Sequence, residues 1–239
     1  GCGLGGKTAF YATRGSRNVV GVDINPWAIE RARRQAADKR PDLYPQGLQF
    51  EICGEASLPF PDETFDVILT NDAFEHLSAP EAVLAECKRV LRKGGRIGIT
   101  FQPWLSPSGH HLKRLVPIPW AHVFFSERTL IHVAAIRYDR DDYGGGAKFW
   151  EYGTRSGKRQ PNPWVDRRQL PTVNKITLRQ FNQLVERNDL TLLHYRLIGY
   201  LPEDNSTKAI LIAPISRLLK RPPFNEYFAR ATVCVLSKD

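Results

Sequence analysis

Short runs of β-branched and aliphatic residues alternate with amphipathic stretches over residues 1–101. Such runs are typical of strands that are buried on both faces of a parallel sheet and connected by helices. The pattern predicts four strands, at Asn18–Val22, Leu48–Cys53, Phe65–Thr70 and Arg96–Phe101. It predicts three helices, at about Lys7–Thr13, Pro26–Lys39 and Ala79–Leu91. This part of the chain is therefore expected to be an α/β unit.

Residues that favour helix ends support two of these helices. Asn25 can cap the second helix, with Pro26 at its first helical position. Ser78 and Glu81 have the spacing of a capping box at the start of the third helix. The glycine pair at 94–95 is expected to end that helix, because glycine favours the position after a helix C-terminus.

The segment 102–174 is longer than an ordinary connection and rich in proline, glycine and aromatic residues. It contains four of the five tryptophans of the chain. We expect either a functional cap, such as a lid over a substrate, or a partly ordered insertion. This divides the chain into a core at 1–101, a lid at 102–174 and a C-terminal part of the core sheet at 175–239.

The C-terminal part is predicted to begin with a helix from Thr177 to about Asn188. Thr177 and Gln180 have the spacing of a capping box at its start. Strands are predicted at Leu190–Ile198 and Ala231–Ser237, and residues 208–221 between them could form a basic amphipathic helix.

Length and composition indicate a soluble globular protein. With 239 residues, 42% of them apolar, the chain can form one large domain or one domain with an insertion. No apolar run approaches the roughly 20 residues of a membrane-spanning helix, and the first residues lack the order of a signal peptide. We expect no transmembrane segment, and the sequence indicates no oligomeric state.

The formal net charge of +9 fits several kinds of partner, because a positive field attracts nucleic acid, acidic membranes and anionic substrates alike. Much of it comes from dispersed residues, so a solvated basic surface is favoured over a nucleic-acid partner. The absence of a CxxC pair argues against a zinc site and a disulfide framework, so we expect no metal and a cytoplasmic location. The four scattered cysteines are Cys2, Cys53, Cys87 and Cys234.

The chain begins with GCGLGG directly before the first predicted helix. Glycine lets the backbone turn tightly and approach a ligand without a Cβ atom in the way. Gly1, Gly3 and Gly6 fit the dinucleotide spacing GxGxxG, whereas Gly1, Gly3 and Gly5 fit the methyltransferase spacing GxGxG. A plain glycine-rich turn is a third interpretation of these residues.

Asp23 ends the strand NVVGVD, about twenty residues after the glycines. At that position a carboxylate can accept hydrogen bonds from both hydroxyl groups of a ribose. The alternative is a residue that only starts the helix before Asn25. The spacing from the glycines favours the ribose role.

The stretch GEASLPFPDETFDVILTNDAFEHL, followed by RVLRKGGRIGIT, resembles the class I S-adenosylmethionine-dependent methyltransferases, particularly their small-molecule branch with its type-11-like domain. The resemblance covers residues 1–101. It implies a Rossmann-like, doubly wound, seven-stranded and mostly parallel sheet, whose last strand, here Ala231–Ser237, inserts antiparallel beside its neighbour. It also implies S-adenosyl-L-methionine as the cofactor.

The resemblance assigns cofactor contacts to eight positions of this chain. Three glycines would surround the methionine part, an aspartate would hold the ribose, three residues would lie near the adenine, and one would lie on the loop that approaches the cofactor. In that order they are Gly1, Gly3 and Gly5; Asp23; Ile24, Glu55 and Ala56; and Asn71. The chain is one residue shorter than the usual family pattern before LPF.

In this family the first strand and a preceding helix come before the glycine loop. That strand lies at the centre of the sheet, between the strands that begin here at Asn18 and Phe65. A sheet without it would leave two rows of backbone groups unpaired. We therefore expect these residues to be a fragment of a longer chain that lacks this strand, and the absence of methionine, also at position 1, agrees with that.

Methyl transfer requires a nucleophile held in line with an electrophilic methyl group, at about 3 Å and away from water. An oxygen nucleophile of high pKa also benefits from a general base such as histidine. His110 and His111 lie in the first part of the long segment that follows the strand ending at Phe101, and His76 matches a recurrent position of the family. His122 is a weaker candidate, and each histidine could instead be structural.

Aromatic residues of the predicted lid could surround an apolar or ring-shaped acceptor, or they could form the small core of the lid itself. They are Trp104, Trp120, Phe124 and Phe125.

The leading hypothesis is a methyltransferase that acts on a small molecule, with oxygen as the favoured acceptor atom. The acceptor would be a metabolite, sugar, lipid-like compound or natural product. Enzymes that methylate amide or adenine nitrogens carry an aromatic-proline motif after the fourth strand, where this chain has TNDAF, so nucleic-acid and protein-glutamine acceptors are disfavoured. One alternative is a nicotinamide-dependent oxidoreductase, which the LPFPDETFD and RKGG stretches disfavour. The other is a non-catalytic cofactor-binding partner or RNA-binding subunit, which the basic charge permits.

Overall fold

The computed structural model describes residues 1–16, 18–140, 162, 164–165, 173–199 and 224–239. The chain divides into two compact units. One contains Gly1–Phe101, Asn182–Tyr195 and Val233–Asp239, and the other contains Gln102–Phe181 and Arg196–Thr232. The amphipathic helix expected at 208–221 lies outside the described residues, as does most of 141–172. Within the described ranges, no helix has the length and apolar character needed to cross a membrane.

Helices and strands alternate in the first 101 residues as the sequence predicts. The helices of the described chain are α1 (Gly6–Ala12), α2 (Pro26–Lys39), α3 (Pro80–Val90), α4 (Ala121–Phe124), α5 (Glu127–Asp139) and α6 (Leu178–Arg187). The strands are β1 (Val19–Asp23), β2 (Leu48–Ile52), β3 (Phe65–Asn71), β4 (Leu91–Phe101), β5 (Thr191–Gly199) and β6 (Ala229–Ser237).

The described strands form two sheets, with the orders β1-β2 and β3-β4-β6-β5. β1 pairs with β2, and β3 with β4, in parallel. At the other side of β4, Gly94 N donates to Lys238 O (2.7 Å), so the beginning of β4 lies beside the end of β6. The predicted mixed α/β fold, with its antiparallel last strand inserted beside β4, is therefore confirmed. The described residues contain six of the seven strands of the expected sheet.

Local capping signals were correct for two helices. Asn25 Oδ1 accepts from the backbone N–H groups of Trp27 and Ala28, with Pro26 at the first helical position. At the start of α6, Thr177 N donates to Gln180 Oε1 (2.9 Å) and Gln180 N donates to Thr177 Oγ1 (3.2 Å). The second pair is a capping box in both directions.

The capping box expected at Ser78 is wrong. The N-cap residue of α3 is Ala79, which makes no side-chain cap. The Ser78 hydroxyl instead donates to Glu55 Oε2 at 3.3 Å. Because Ser78 lies one residue before the cap position, its oxygen serves a long-range contact rather than the helix end.

The glycine pair at 94–95 does not end α3 either. The helix ends at Val90, and its last carbonyl groups accept from the segment before β3: Glu63 N donates to Arg89 O and Thr64 N to Val90 O. Tertiary hydrogen bonds therefore replace a glycine cap. Gly94 lies within β4, at φ +71°, in a bulge between Leu91 and Arg96.

The core beneath the start of the chain is built by small residues of α2. Ile29, Ala32 and Ala36 recur every three or four residues and are buried together with Leu48 and Phe50 of β2. The alanines let the helix approach the sheet closely, because they carry only a methyl group. The ring of Phe50 then reaches the glycine-rich loop.

The second unit has a core of its own around α5, formed by Leu112, Leu115, Val116, Ala121, Leu130, Ile131, Ala134, Tyr138 and Trp164. Trp104 packs against it, whereas Phe124 and Phe125 are exposed. A buried carboxylate joins distant segments of this unit: Glu226 accepts from Leu105 N (3.3 Å) and from Leu178 N (3.0 Å). Burial raises the pKa of Glu226.

Candidate functional site

The glycine-rich loop forms a tight turn directly before α1 and lies beside the end of β1. Gly3 and Gly5 have φ angles of +51° and +79°, in the left-handed region. Gly5 N donates to Cys2 O (3.0 Å), and Cys2 N donates to Val22 O (2.8 Å), so the loop is attached to β1. The loop backbone therefore lies next to the carboxyl end of this strand, where ligands bind in sheets of this type.

The space around the backbone requires glycine at two positions of the loop, Gly1 and Gly5. A Cβ atom on Gly5 would lie 2.6 and 2.7 Å from ring atoms of Phe50, and one on Gly1 would lie 2.7 Å from Ala73 Cβ. A Cβ atom on Gly6 would have no neighbour within 4 Å. The close approach thus belongs to Gly1 and Gly5, two of the three glycines of the GxGxG spacing, and not to Gly3 or Gly6.

Asp23 connects the glycine loop to the start of α2. Its Oδ2 accepts from Gly3 N (2.8 Å), and its Oδ1 accepts from Asn25 N (3.0 Å). A carboxylate has about four acceptor positions, so two hydrogen bonds leave capacity for hydroxyl donors. The next residue, Ile24, is exposed, and so is Trp27. The arrangement offers an anionic acceptor next to exposed apolar surface.

Two contacts join α1 to the end of β3. Asn71 Nδ2 donates to the Tyr11 hydroxyl (3.0 Å), and Lys7 Nζ pairs with Asp72 Oδ2 (2.8 Å). Asp72 has a φ of +52°, which aspartate tolerates better than most residues. Sequence reasoning had selected Asn71 but missed Lys7, Tyr11 and Asp72, because the pairs join residues 60 or more positions apart.

The letters GCGLGGKT also match the phosphate-binding pattern GxxxxGK[ST], in which the lysine contacts phosphate and the hydroxyl contacts magnesium. Here Thr8 is buried, and its hydroxyl oxygen is 2.9 Å from the position of a Cβ atom on Gly21. The hydroxyl thus faces β1, and Lys7 pairs with Asp72. This geometry disfavours a nucleoside triphosphate site.

The stretch around LPF is held by a charged network that the sequence did not reveal. Leu58 N donates to Glu86 Oε2 (3.0 Å), and Arg89 donates to Glu86, to the carbonyl groups of Leu58 and Phe60, and to Asp62. The Arg89 hydrogen bond, helped by the Leu58 N–H, lowers the pKa of Glu86 to about 2. The three-residue spacing of Glu86 and Arg89 on one helix was the available signal.

Two of the residues expected near adenine lie at the start of this stretch. Glu55 is exposed and accepts from Ser78, while Ala56 is half-buried.

The four candidate histidines have different surroundings. His110 is 1% exposed, its Nδ1 accepts from Leu112 N (3.0 Å), and its ring centre is 5.4 Å from that of His122. Burial, followed by the charge of His122, lowers the pKa of His110 to about 4. His122 itself hydrogen-bonds to Trp104 O (2.7 Å), and burial lowers its pKa too. His76 is exposed, in a short 3-10 turn at Phe74–His76.

His111 differs from its neighbour, because it lines an open pocket of about 340 Å³ in the second unit. It is half-buried and has a φ of +56°. The pocket also contains polar side chains of Gln102 and Ser108 and the cations Lys113 and Arg114. Its volume is in the range of small-molecule sites.

Residues 1–99 match the family model described as a methyltransferase domain. A similar curated protein is the 27-O-demethylrifamycin SV methyltransferase of Amycolatopsis mediterranei, 32% identical over 99 residues, which are 41% of this chain and 35% of that protein. A probable tocopherol O-methyltransferase of rice is 31% identical over 121 residues, which are 47% of this chain and 31% of that protein. The chain thus spans about a third of the length of these relatives.

Two solved structures share the fold across the whole chain. One is an S-adenosylmethionine-dependent methyltransferase of Methanosarcina mazei, 18% identical with a TM-score of 0.56, covering 100% of this chain and 89% of that chain. The other is the geranyl diphosphate C-methyltransferase of Streptomyces coelicolor, 16% identical with a TM-score of 0.56, covering 100% of this chain and 69% of that chain. At these identities the likeness establishes the fold alone.

Proposed function

We propose that this chain, whose residues 1–99 form a class I S-adenosylmethionine-dependent methyltransferase domain, transfers a methyl group to an oxygen atom of a small-molecule acceptor. Support for an oxygen acceptor comes from the names of two relatives, a 27-O-demethylrifamycin SV methyltransferase and a probable tocopherol O-methyltransferase. A sterol C-methyltransferase of Arabidopsis thaliana is also 37% identical over 95 residues, so the domain by itself is compatible with other acceptor atoms.

The observation that carries the proposal is the position of the Asp23 carboxylate. Gly3 N and Asn25 N hold its two oxygens between the glycine loop and α2, which fixes an anionic acceptor before any ligand arrives. A fixed carboxylate suits the two hydroxyl groups of a ribose. Gly3, where an added Cβ atom would have no neighbour within 4 Å, leaves open space beside this carboxylate that suits the adjoining part of the cofactor.

The remaining cofactor contacts follow from the same arrangement. Exposed Ile24 would cover one face of the adenine, and Glu55 and Ala56 would lie near its amino group. Asn71, which is held by Tyr11, would approach the cofactor from the end of β3. When bound, S-adenosylmethionine supplies an electrophilic methyl group on its sulfonium.

The substitution Asp23→Asn is expected to weaken binding of S-adenosylhomocysteine and S-adenosylmethionine at least tenfold. It removes the charge and one acceptor, and a hydrogen bond to a charged group contributes about 1.5–3 kcal/mol. Isothermal titration calorimetry measures the change. Asp38→Asn, at an exposed position on α2, is the matched control and should bind like the wild type.

Equal affinity of the folded Asp23→Asn protein and the wild type would contradict the ribose role. Titration with NADH in parallel distinguishes the oxidoreductase hypothesis, which requires nicotinamide binding that depends on the same aspartate.

Of the candidate histidines, His111 is the one we propose as the general base. A base must retain a pKa near the working pH and be accessible to the acceptor. His110 is buried with a pKa of about 4, whereas His111 lines an open pocket. Its role would be to take the proton of an acceptor hydroxyl as the methyl group is transferred.

The substitution His111→Asn is expected to reduce kcat/KM for phenolic acceptors by about 10²–10⁴-fold, the usual contribution of a general base. Asparagine tolerates the left-handed backbone of this position. Release of S-adenosylhomocysteine is measured between pH 6 and 9 with a panel of phenols and hydroxybenzoates, and the variant should lose the rise of rate with pH.

His132→Asn, on the exposed face of α5 in the same unit, is the control and should keep the wild-type profile. An unchanged pH profile in His111→Asn would remove His111 from the mechanism.

A further inference from the structure

The pocket of the second unit has an uneven distribution of charge. Two consecutive cations, Lys113 and Arg114, contribute to its lining, and among the described residues that line it none carries a carboxylate. Both cations are exposed side chains of the loop before Leu115. A concave surface with one sign of charge concentrates ligands of the opposite sign.

Polar groups at the same pocket are held in place. Gln102 Nε2 donates to both Ser106 Oγ (2.8 Å) and Ser108 Oγ (2.6 Å), which fixes the amide and the Ser108 hydroxyl relative to each other. A guanidinium group binds planar carboxylates and phosphates with two hydrogen bonds, while an ammonium group acts as a point charge. The pocket therefore combines both kinds of anion ligand with fixed dipoles.

The apolar part of the pocket is rigid. Leu112, Leu115 and Trp164 belong to the buried core around α5. Asn162 keeps Trp164 against that helix, since its Oδ1 accepts from Trp164 N (2.9 Å) and its Nδ2 donates to Ala135 O (2.9 Å). A ligand body that packs here meets a surface that needs little reorganisation.

We propose that this pocket binds an acceptor that carries an anionic group, a carboxylate or a phosphate, attached to a flat apolar body. Lys113 and Arg114 bind the anion, and Leu112, Leu115 and Trp164 contact the apolar body. The assignment of the ligand as the methyl acceptor rests on the proposed function. The binding of the anion itself does not, because every residue involved lies in the second unit.

The test uses four naphthalene probes of matched size in the full chain at pH 7.5, without cofactor, by calorimetry. The probes are 2-naphthoate, 2-naphthyl phosphate, neutral 2-naphthol and cationic 2-naphthylmethylamine. We expect both anions to bind at least tenfold more tightly than the neutral and cationic probes. The tighter of the two anions identifies the carboxylate or the phosphate as the preferred group.

The double substitution Lys113→Gln/Arg114→Gln is expected to weaken the binding of both anionic probes at least tenfold, which corresponds to about 1.4 kcal/mol. The matched control is Arg128→Gln/Arg140→Gln, which removes the same charge from exposed positions of the same unit and should stay within twofold of the wild type. Equal binding of 2-naphthol and 2-naphthoate, or an equal loss in the control, would overturn the proposal.

Binding of S-adenosylhomocysteine to the same variants separates the two proposals. Wild-type cofactor affinity in Lys113→Gln/Arg114→Gln, with loss of 2-naphthoate, supports the anion pocket and shows that the variant is folded. Anion binding that depends on Lys113 and Arg114, in a protein whose cofactor affinity is unchanged by Asp23→Asn, would retain the pocket and reject the proposed ribose site.

Discussion

The substitution Gly5→Ala is expected to lower the free energy of unfolding by about 2–5 kcal/mol. Gly5 has a φ of +79°, and the left-handed region costs a residue with a Cβ atom about 1–2 kcal/mol. The added methyl group would also lie 2.6 Å from the Phe50 ring and 3.0 Å from Ala32 Cβ. Overpacking of this kind costs about 1–3 kcal/mol more. Urea unfolding followed by circular dichroism measures the change.

Two neighbouring glycines separate conformation from space. Gly3→Ala adds a methyl group with no neighbour within 4 Å but keeps the unfavourable φ of +51°, so about 1–2 kcal/mol should be lost. Gly6→Ala has an open position and a helical backbone, so stability should be unchanged or rise by up to about 1 kcal/mol. If Gly5→Ala were no worse than Gly3→Ala, the contact with Phe50 would not restrict the loop.

The consequence for the site is that Gly5 determines how closely the loop lies over β2. Phe50 cannot move away easily, because it is fully buried against α2. A larger residue at position 5 would therefore raise the loop, and with it Gly3, whose N–H group holds Asp23. We expect Gly5→Ala to weaken cofactor binding as well as folding, whereas Gly6→Ala should retain both.

Lowering the pH from 7.5 to 5 is expected to destabilise the protein by about 2 kcal/mol through His110 alone. Burial holds the pKa of His110 at about 4, below the ordinary value of 6.5. The unfolded chain therefore takes up the proton first as the pH falls, and the native state loses stability between pH 6.5 and pH 4. Free energies of unfolding from urea titrations at several pH values measure the slope.

The substitution His110→Asn should remove most of this slope. Asparagine is uncharged and can still accept the hydrogen bond from Leu112 N. His132→Asn, which changes an exposed histidine, should keep the wild-type slope. A wild-type slope in His110→Asn would show that other groups cause the acid sensitivity.

Two carboxylates with shifted pKa values, Glu226 and Glu86, also contribute to the dependence of stability on pH. The raised pKa of Glu226 acts in the opposite direction, because the native state binds that proton first and gains stability as the pH falls. Glu86, with a pKa of about 2, stabilises the native state above its ordinary value of 4.5, and this contribution is lost only below that pH. Measurements that stop at pH 5 thus leave the Glu86 contribution in place.

Local signals in the sequence were sufficient to predict the helices, the strands and the glycine-rich loop of residues 1–101. The bounds of α2 were predicted correctly, because Asn25 and Pro26 act within one helical turn. The glycine loop and Asp23 were recognised together, because their relation depends on a short connection and on conformations that glycine alone adopts freely. Strand positions followed from short apolar runs, because β-branched and aliphatic residues favour strands.

Other features required contacts between distant residues. The end of α3 depends on N–H groups of Glu63 and Thr64, which belong to the segment before β3, and not on the glycines that follow the helix in sequence. Tyr11 meets Asn71, and Arg89 meets the loop around Leu58, across 60 and 31 positions of the chain. A local sequence pattern cannot predict such partners, because the packing of the sheet brings them together.

The histidines illustrate the same division. His110 and His111 are adjacent and chemically identical in the sequence, and both were equal candidates for a base. Only the tertiary structure separates them: the ring of His110 lies in the buried interior beside His122, while His111 lines an open pocket. The sequence by itself determined the glycine-rich loop and the carboxylate beside it, because backbone conformation and short spacing encode them. Burial and charge around each side chain arise from distant segments, so the tertiary structure alone distinguished the surroundings of these two histidines.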